Sequence, residues 1–580
     1  MSLKDLNYVQ KWFIIGALIG VIAGFAALLI FYTIRFVETI FLSSFVGFTP
    51  PVPLGETGGT LAYVFAAQHY LLLPVSIFVG ALISGYLIYK FAPETEGHGS
   101  DAVIRSFHNK DGASRARVPL VKLVTAALTI GSGGSGGREG PTAQITAGLG
   151  HLLAKHLNIT KSDRRTITAV AMGAGIGTIF KAPFGGALLA AEILYRHDME
   201  VDAIFPGIVA SIIGFTIFGA FTGYTPMFGV TSGILGFMFN PFILPLLLVL
   251  GVLTGLFARL YVGVFYYVQY LFRKLRTSNY IKPAIGALGT AAIVLIFPEV
   301  AGVGYGWTQL MISGSYKTFI NTFGMPLALF FLVLAIAKIV ATSTSIASGG
   351  SGGVFSPGIF TGASVGIFAG LIFNHMFPAI VPLPLVGVFA IIGMLSFFGA
   401  AGKVPIAVTV MVLEMTGSLA MLPAAMFSIA LALIVSGNGS IYNSQVNTRR
   451  DSPAHIEEYY SPLMKKVKVS SVMNRNMHIS PNETLGFAER FMKRNALMSA
   501  PIVDGNRFLG AIYMEDAVHV RDSNLAVKRF TKHVAHVNIG TTAESAWHAM
   551  IKNGAGWCAV LDNGKYVGAV EMRKIFRKYR

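Results

Sequence analysis

Long apolar runs alternate with short polar breaks over the first three quarters of the chain. The runs cover about 12–40, 60–92, 118–131, 142–156, 166–195 and 201–223. A second set covers about 241–271, 281–298, 325–347, 358–374, 383–402 and 404–437. Several approach or exceed the ~20 residues that a spanning helix needs, while others fall short of it. Short, Gly/Pro-interrupted segments at matching places in two halves predict broken helices around a midplane site. The first run, near Phe13–Phe31, is too long for a signal-peptide core, so it is expected to remain as a spanning helix.

Two breaks in the pattern are alike. Ser132-Gly133-Gly134-Ser135-Gly136-Gly137-Arg138-Glu139-Gly140-Pro141 lies between apolar runs. Ser348-Gly349-Gly350-Ser351-Gly352-Gly353 follows at an offset of 216, with Pro357 matching Pro141 and Phe355 standing where Glu139 stood. Lys181-Ala182-Pro183 leading to Glu192 is matched by Lys403-Val404-Pro405 leading to Glu414, at an offset of 222. Paired motifs in one order predict two related halves, joined near 224–240. Their relative topology is left open by the repeat itself.

After about Asn447 the texture becomes charged and soluble. A repeat of 58 residues sets Met492, Asn495, Asp504, Gly510 and Ala511 against Met550, Asn553, Asp562, Gly568 and Ala569. Each copy reads as a helix followed by a hairpin. The strands are Ala500–Val503 with Phe508–Tyr513, and Cys558–Leu561 with Tyr566–Glu571.

Composition narrows the class. Of 580 residues, 53% are hydrophobic and 12% charged, which argues for a polytopic membrane protein; the mean hydropathy is +0.63. The formal charge of +18 need not indicate nucleic acid, since basic loops at His108–Lys122, Lys155–Arg165 and Arg273–Lys282 fit a cytoplasmic face. A lone cysteine, Cys558, excludes an intramolecular disulfide framework.

An Arg-Glu pair among glycines at membrane depth calls for a function. The Gly131-x-Gly133-x-x-Gly136 spacing lacks the strand and downstream acid of a dinucleotide site. Small-residue helix packing explains the glycines but not the charges. An anion site explains both. Glycines let backbone N–H groups converge, and a helix opening just after Gly140 adds partial positive charge. Two such helix starts could hold a dehydrated anion without a fixed cation that binds it too tightly. Glu139 would then compete with the anion when ionised and vacate the site when protonated. Arg138 could bind the anion directly or neutralise and fix the loop.

These residues resemble the CLC family of chloride channels and chloride/proton exchangers over nearly the whole chain. Gly137–Pro141 resembles its gating-glutamate motif, Gly353–Pro357 its G-x-F-x-P motif, and Phe180–Glu192 the segment near its internal glutamate. The resemblance implies a mostly α polytopic protein of two inverted repeats, about 12–223 and 241–446 within a 1–447 membrane domain. A 448–464 linker and a soluble α/β CBS pair, 465–523 and 524–580, would follow. It implies a homodimer in the cell membrane, with one anion pathway per subunit, chloride or a similar small anion as cargo, and a cytoplasmic C-terminal CBS module. Glu139 takes the place of the gate, and backbone amides of Gly140, Phe355 and Ser356 those of anion ligands. Tyr442 takes the place of the central tyrosine.

Two positions depart from the family pattern. The G-S-G-I-P serine is replaced in Gly97-His98-Gly99-Ser100-Asp101 by His98. The imidazole is either an anion ligand or a packed core histidine, and Ser100 is a rival ligand. The internal proton glutamate is replaced by Ile193, next to Glu192, whose echo at Glu414 favours a structural role. Passive conduction is therefore the leading expectation, with chloride/proton antiport as the alternative. Lys181 is either structural, like Lys403, or a pathway charge. The CBS resemblance offers an adenine-nucleotide site at Tyr513 and Asp516, against a ligand-free dimerising domain. No metal-ligand cluster or nucleophile–base pair predicts chemical catalysis, and no cofactor is required. A CBS-regulated cation transporter remains the distant reading; it would line its path with acids, which this chain has in small number.

Overall fold

A computed structural model describes residues 6–65, 67–157, 159–231, 234, 240–321, 323–455, 464–495, 497–518, 523–553 and 555–577. Contacts divide the chain into two units, Met1–Ala454 and His455–Arg580. The first unit is helical and duplicated. Its first half holds α1 (Tyr8–Glu38), α2 (Leu73–Phe91), α3 (Ser100–Lys110), α4 (Val118–Gly131), α5 (Glu139–His156), α6 (Lys161–Ile179), α7 (Pro183–Glu192) and α8 (Ile204–Thr222). The second half holds α9 (Leu244–Lys274), α10 (Lys282–Val294), α11 (Tyr305–Ile312), α12 (Leu327–Thr342), α13 (Phe355–Met376), α14 (Val386–Gly402), α15 (Pro405–Thr416) and α16 (Leu422–Ser436). Among the described residues, eight helical stretches are long and apolar enough to cross a membrane. Most of the expected junction at 224–240 is described, but 232–233 and 235–239 lie outside the described residues.

Three expected segments differ. The run at 60–92 is helical only from Ala67 onward. The run at 166–195 is two helices, because Lys181 adopts a left-handed φ of 56° and Pro183 starts α7. The run at 404–437 likewise breaks between α15 and α16, where Gly417 takes a φ of 64°. A proline inside a helix removes a hydrogen bond, so Pro183 and Pro405 sit at helix starts instead.

The halves grip each other reciprocally. Glu192, at the end of α7, accepts from Ile406 N at 3.1 Å and Ala407 N at 2.7 Å, the free N–H groups opening α15. Glu414, near the end of α15, accepts from Phe184 N at 3.1 Å and Gly185 N at 2.7 Å, opening α7. Each carboxylate thus satisfies donors that a helix start leaves unpaired, and meets the positive end of its dipole. Lys181 Nζ caps Thr222 O at 2.8 Å and Gly55 O at 2.6 Å. Lys403 Nζ does the same for Gly437 O at 2.5 Å and Ser436 Oγ at 2.8 Å.

Within the stretch expected as a linker, 448–464, Arg449 is held by acids that follow α7. Arg449 pairs with Glu200 at 3.2 Å and Asp202 at 3.5 Å. The rest of that expectation, 456–463, lies outside the described residues.

The second unit carries two hairpins, Ser499–Asp504 with Arg507–Tyr513 and Trp557–Asp562 with Lys565–Glu571. His536–Asn538 pairs parallel to Trp557–Asp562, and Met473–Asn474 pairs antiparallel to Lys565–Glu571. The hairpin turns fall at Asp504-Gly505 and Asp562-Asn563-Gly564, where Gly505, Asn563 and Gly564 take positive φ. Trp557 Nε1 donates to Ser499 O at 2.8 Å, tying one hairpin to the other. Burial pushes the Cys558 thiol up to about 12, which keeps it unreactive.

Candidate functional site

The two glycine motifs meet back to back. Gly137 N donates to Gly353 O at 2.7 Å, and Gly353 N donates to Gly137 O at 2.5 Å. The motifs lead directly into α5 and α13, so two helix N-termini converge there. Helix α5 opens at Glu139, slightly earlier than expected; Pro141 sits in its first turn, where its missing N–H costs nothing. Glycine is required at this crossing. A Cβ on Gly137 or Gly353 would run into the Glu139 carboxylate, and one on Gly140 into the His98 carbonyl.

Glu139 is 1% exposed, and its carboxylate lies at the N-terminus of α13. Ser356 N donates to Oε2 at 3.3 Å. The hydroxyls of Ser356 and Tyr305 both donate to Oε1. The charge therefore rests on a backbone amide, two hydroxyls and a helix dipole rather than on a cation. The Phe355 ring packs against Phe180 at 4.8 Å and Phe398 at 4.2 Å between centroids.

Arg138 takes a different carboxylate as its ion-pair partner. Its guanidinium pairs with Glu56 and lies 5.1 Å from the Phe31 ring centroid and 5.2 Å from that of Tyr305. Of the two roles expected for it, the geometry matches fixing the loop.

A second group lies on the other side of Gly140. The His98 ring is 5.6 Å from Tyr442 and 5.9 Å from Phe265 between centroids. Ser100 is the first residue of α3. Ile193 is fully buried, and its carbonyl accepts from Gln445 Nε2 at 2.9 Å. The other positions stand apart: Lys181 is engaged as a helix cap, and Tyr513 and Asp516 lie in the second unit. There Lys532 Nζ holds Asp516 Oδ2 at 2.7 Å and lies 5.2 Å from the Tyr513 ring centroid.

Tyr305, Glu56 and a pair of buried lysines went unnoticed in the sequence, yet a further repeat ends directly before one of them, Tyr305. Pro93-Glu94-Thr95-Glu96-Gly97-His98-Gly99 matches Pro298-Glu299-Val300-Ala301-Gly302-Val303-Gly304 as P-E-x-x-G-x-G. Tyr305 follows the second copy as Ser100 follows the first. Lys122 Nζ donates to Thr95 O at 2.9 Å and Gly97 O at 2.8 Å. Lys338 Nζ donates to the matching Val300 O at 2.9 Å and Gly302 O at 3.0 Å. The first copy lines a cavity of about 610 Å³, and the second, through Gly302–Tyr305, lines a smaller one of about 70 Å³.

Replacing Tyr305 with Phe removes one charge-assisted hydrogen bond, worth ~1.5–3 kcal/mol. We expect the carboxylate to leave its seat more readily, raising apparent chloride affinity by about tenfold or more. Isothermal titration with chloride at neutral pH checks this; unchanged affinity would show that the hydroxyl does not hold the carboxylate.

Residues 80–437 match the voltage gated chloride channel family, and residues 469–523 and 527–580 each match the CBS domain. The H(+)/Cl(-) exchange transporter ClcA of Salmonella arizonae is 30% identical over 370 residues, covering 61% of this chain and 74% of that protein. An uncharacterized protein of Methanocaldococcus jannaschii is 29% identical over 361 residues, covering 62% of this chain and 79% of its own. Among solved structures, a eukaryotic CLC transporter superposes with a TM-score of 0.61 at 19% identity, covering 98% of both chains. A slow cyanobacterial Cl-/H+ antiporter superposes with a TM-score of 0.60 at 20% identity, covering 75% of this chain and 97% of that one. A CLC-type fluoride/proton antiporter gives 0.59 at 21% identity, covering 76% of this chain and 98% of its own. The profile match spans well over half of the chain, the helical fold and the C-terminal α/β unit agree with it, and the protein therefore belongs to the voltage gated chloride channel (CLC) family of membrane anion transporters, with a pair of CBS domains.

Proposed function

We propose that the protein exchanges chloride for protons across a membrane, with Glu139 as the group that both gates the anion path and carries the proton. The observation behind this reading is the seat of the Glu139 carboxylate. It occupies a cradle of backbone N–H and hydroxyl donors at a helix start, the chemistry that suits a dehydrated halide. The occupant is itself an anion that a proton can neutralise. Protonation weakens its hold on the cradle and admits chloride; chloride leaving lets the carboxylate return and release its proton. Transport of the two ions is coupled because they alternate at one seat. The Salmonella relative, named an H(+)/Cl(-) exchange transporter, supports exchange over the passive conduction expected from Ile193.

His98, Ser100, Tyr442 and the amides of Gly140 and Phe355 form the rest of the proposed anion path. Passive conduction is the second reading, favoured by the apolar Ile193 alone. Purified protein in liposomes, under opposed chloride and proton gradients, separates the two. We expect a reversal potential that shifts with the proton gradient; one that follows chloride alone would sink exchange and restore the channel.

A further inference from the structure

The smaller cavity has one wall built unlike the others. Phe48–Thr49 pairs antiparallel with Val64–Phe65, and Val52 and Thr60 exchange backbone hydrogen bonds at 2.7 and 3.1 Å, so the loop between them is tied off twice. Pro50, Pro51 and Pro53 each fix a φ angle. Two ties and three prolines leave this loop few internal freedoms, so it moves as one flap. Compact surface loops with close ends are frequently functional. This one lies directly on the first turn of α11. A Cβ on Gly306 would run into the Pro51 carbonyl, and the Tyr63 and Trp307 rings are 5.0 Å apart between centroids.

Two residues link the cavity beneath to the Glu139 seat. Tyr305 lines it and donates its hydroxyl to Glu139; Arg138 lines it and precedes Glu139 in the chain. Arg35 and Glu38 line it from α1, and Pro53 and Glu56 from the flap. The tip of the flap is held by three cations. Lys181 Nζ donates to Gly55 O at 2.6 Å, and Arg35 Nη1 donates to Thr57 O at 2.5 Å. Glu56 pairs with Arg138 and, at 3.6 Å, with Arg35 Nη2. A small anion can replace a carboxylate or a carbonyl at such cations, so these holds are exchangeable. The cavity wall at 301–304 is fixed instead by buried Lys338, which donates to Val300 O and Gly302 O.

We infer that residues 50–57 form a lid on the anion path, latched by Glu56. An anion that passes Tyr305 meets Arg138 and Arg35 in the cavity, takes them over from Glu56, and so frees the tip of the flap. Opening without an anion would leave the Arg138 guanidinium without its carboxylate, so the lid opens when there is cargo to take that place. No covalent bond changes. The inference rests on Glu139 marking the anion path, and it holds for exchange and for passive conduction alike.

The test locks the lid. A Cβ on Gly229 would lie 3.6 Å from the Leu54 Cβ, inside the ~3.5–4.5 Å that a disulfide spans. Gly229 is fixed from both sides: its N–H donates to Gln309 Oε1 at 2.7 Å, and its carbonyl accepts from Gln309 Nε2 at 2.6 Å. Full-length protein carrying Leu54→Cys and Gly229→Cys is placed in liposomes; the native Cys558 is buried and stays out of the pairing. We expect oxidation to lower chloride flux by about tenfold or more, and dithiothreitol to restore it to within about threefold of the unsubstituted protein. Undiminished flux in oxidised protein with both new thiols consumed would overturn the lid. Absence of chloride flux in the reduced and unsubstituted proteins alike would overturn the transport reading instead. Should the two cysteines fail to pair, or silence transport when reduced, Arg35→Gln decides. It frees Thr57 O and one side of Glu56 while leaving the Glu56–Arg138 pair in place. Chloride flux should then rise by about threefold or more, and flux no higher than wild type overturns the lid.

Discussion

Glu139→Gln should abolish proton transport while leaving a chloride path open. Glutamine keeps the shape of the protonated acid but cannot cycle its charge. In the native seat, Ser356 N and the hydroxyls of Ser356 and Tyr305 all donate to the carboxylate. A neutral amide oxygen accepts such bonds about half as strongly as a charged one. The substituted side chain should therefore yield the cradle to chloride at every pH. Proton flux should fall at least ~10²-fold, the low end of what a positioned proton-transfer group contributes. Chloride flux should persist and lose its pH dependence. The sign follows from the native carboxylate: acid protonates it and opens the path, base ionises it and closes the path. Parallel chloride-electrode and pH-electrode traces on one liposome preparation check both halves. A chloride flux that still depends on pH in the variant would remove Glu139 from the principal role.

The cradle was legible because its chemistry is written in consecutive residues. Gly137–Pro141 and Gly353–Pro357 announce both helix starts, and the Lys181/Lys403 and Glu192/Glu414 echoes announce two halves. What stayed hidden depends on residues far apart in sequence. Tyr305 reaches Glu139 across 166 positions, and Glu56 reaches Arg138 across 82. Neither partner choice has a local signal. The P-E-x-x-G-x-G repeat was readable, but it sits in loops where hydrophobic periodicity says nothing. The helix breaks after Ile179 and Thr416 were also hidden, because the apolar pattern runs straight through them. Left-handed Lys181 and Lys403 are stabilised by what their Nζ atoms cap, which is tertiary information. The channel expectation was drawn from one apolar side chain, Ile193. A single position says which group is missing and nothing about what replaces it.

Glu56→Ala should be the most damaging single substitution to stability in the membrane unit. Arg138 is 5% exposed and opposite charge reaches it from Glu56. Its Nε already lacks a partner among the described residues, so Glu56 is the group that makes burial of the guanidinium tolerable. Arg35 Nη2 also approaches Glu56 Oε2 at 3.6 Å, and Glu38 lines the same cavity as both cations. Removing Glu56 takes away the ion-pair partner of both guanidinium groups beside Phe31. Breaking a buried pair by deleting one partner costs ~3–5 kcal/mol, far more than the pair itself contributes. The loss should lower the thermal unfolding midpoint of detergent-purified protein and reduce its monodisperse yield. Arg138→Met in the same background tests the cause. With the stranded charge gone, most of the stability should return, because an apolar side chain of similar length suits the Phe31 and Tyr305 rings. If the single variant melts with the wild type, the guanidinium is not held by Glu56. If the double variant melts no higher than the single one, the damage lies in the loop at 55–57, where Gly55 O meets Lys181 and Thr57 O meets Arg35, rather than in an unpaired charge.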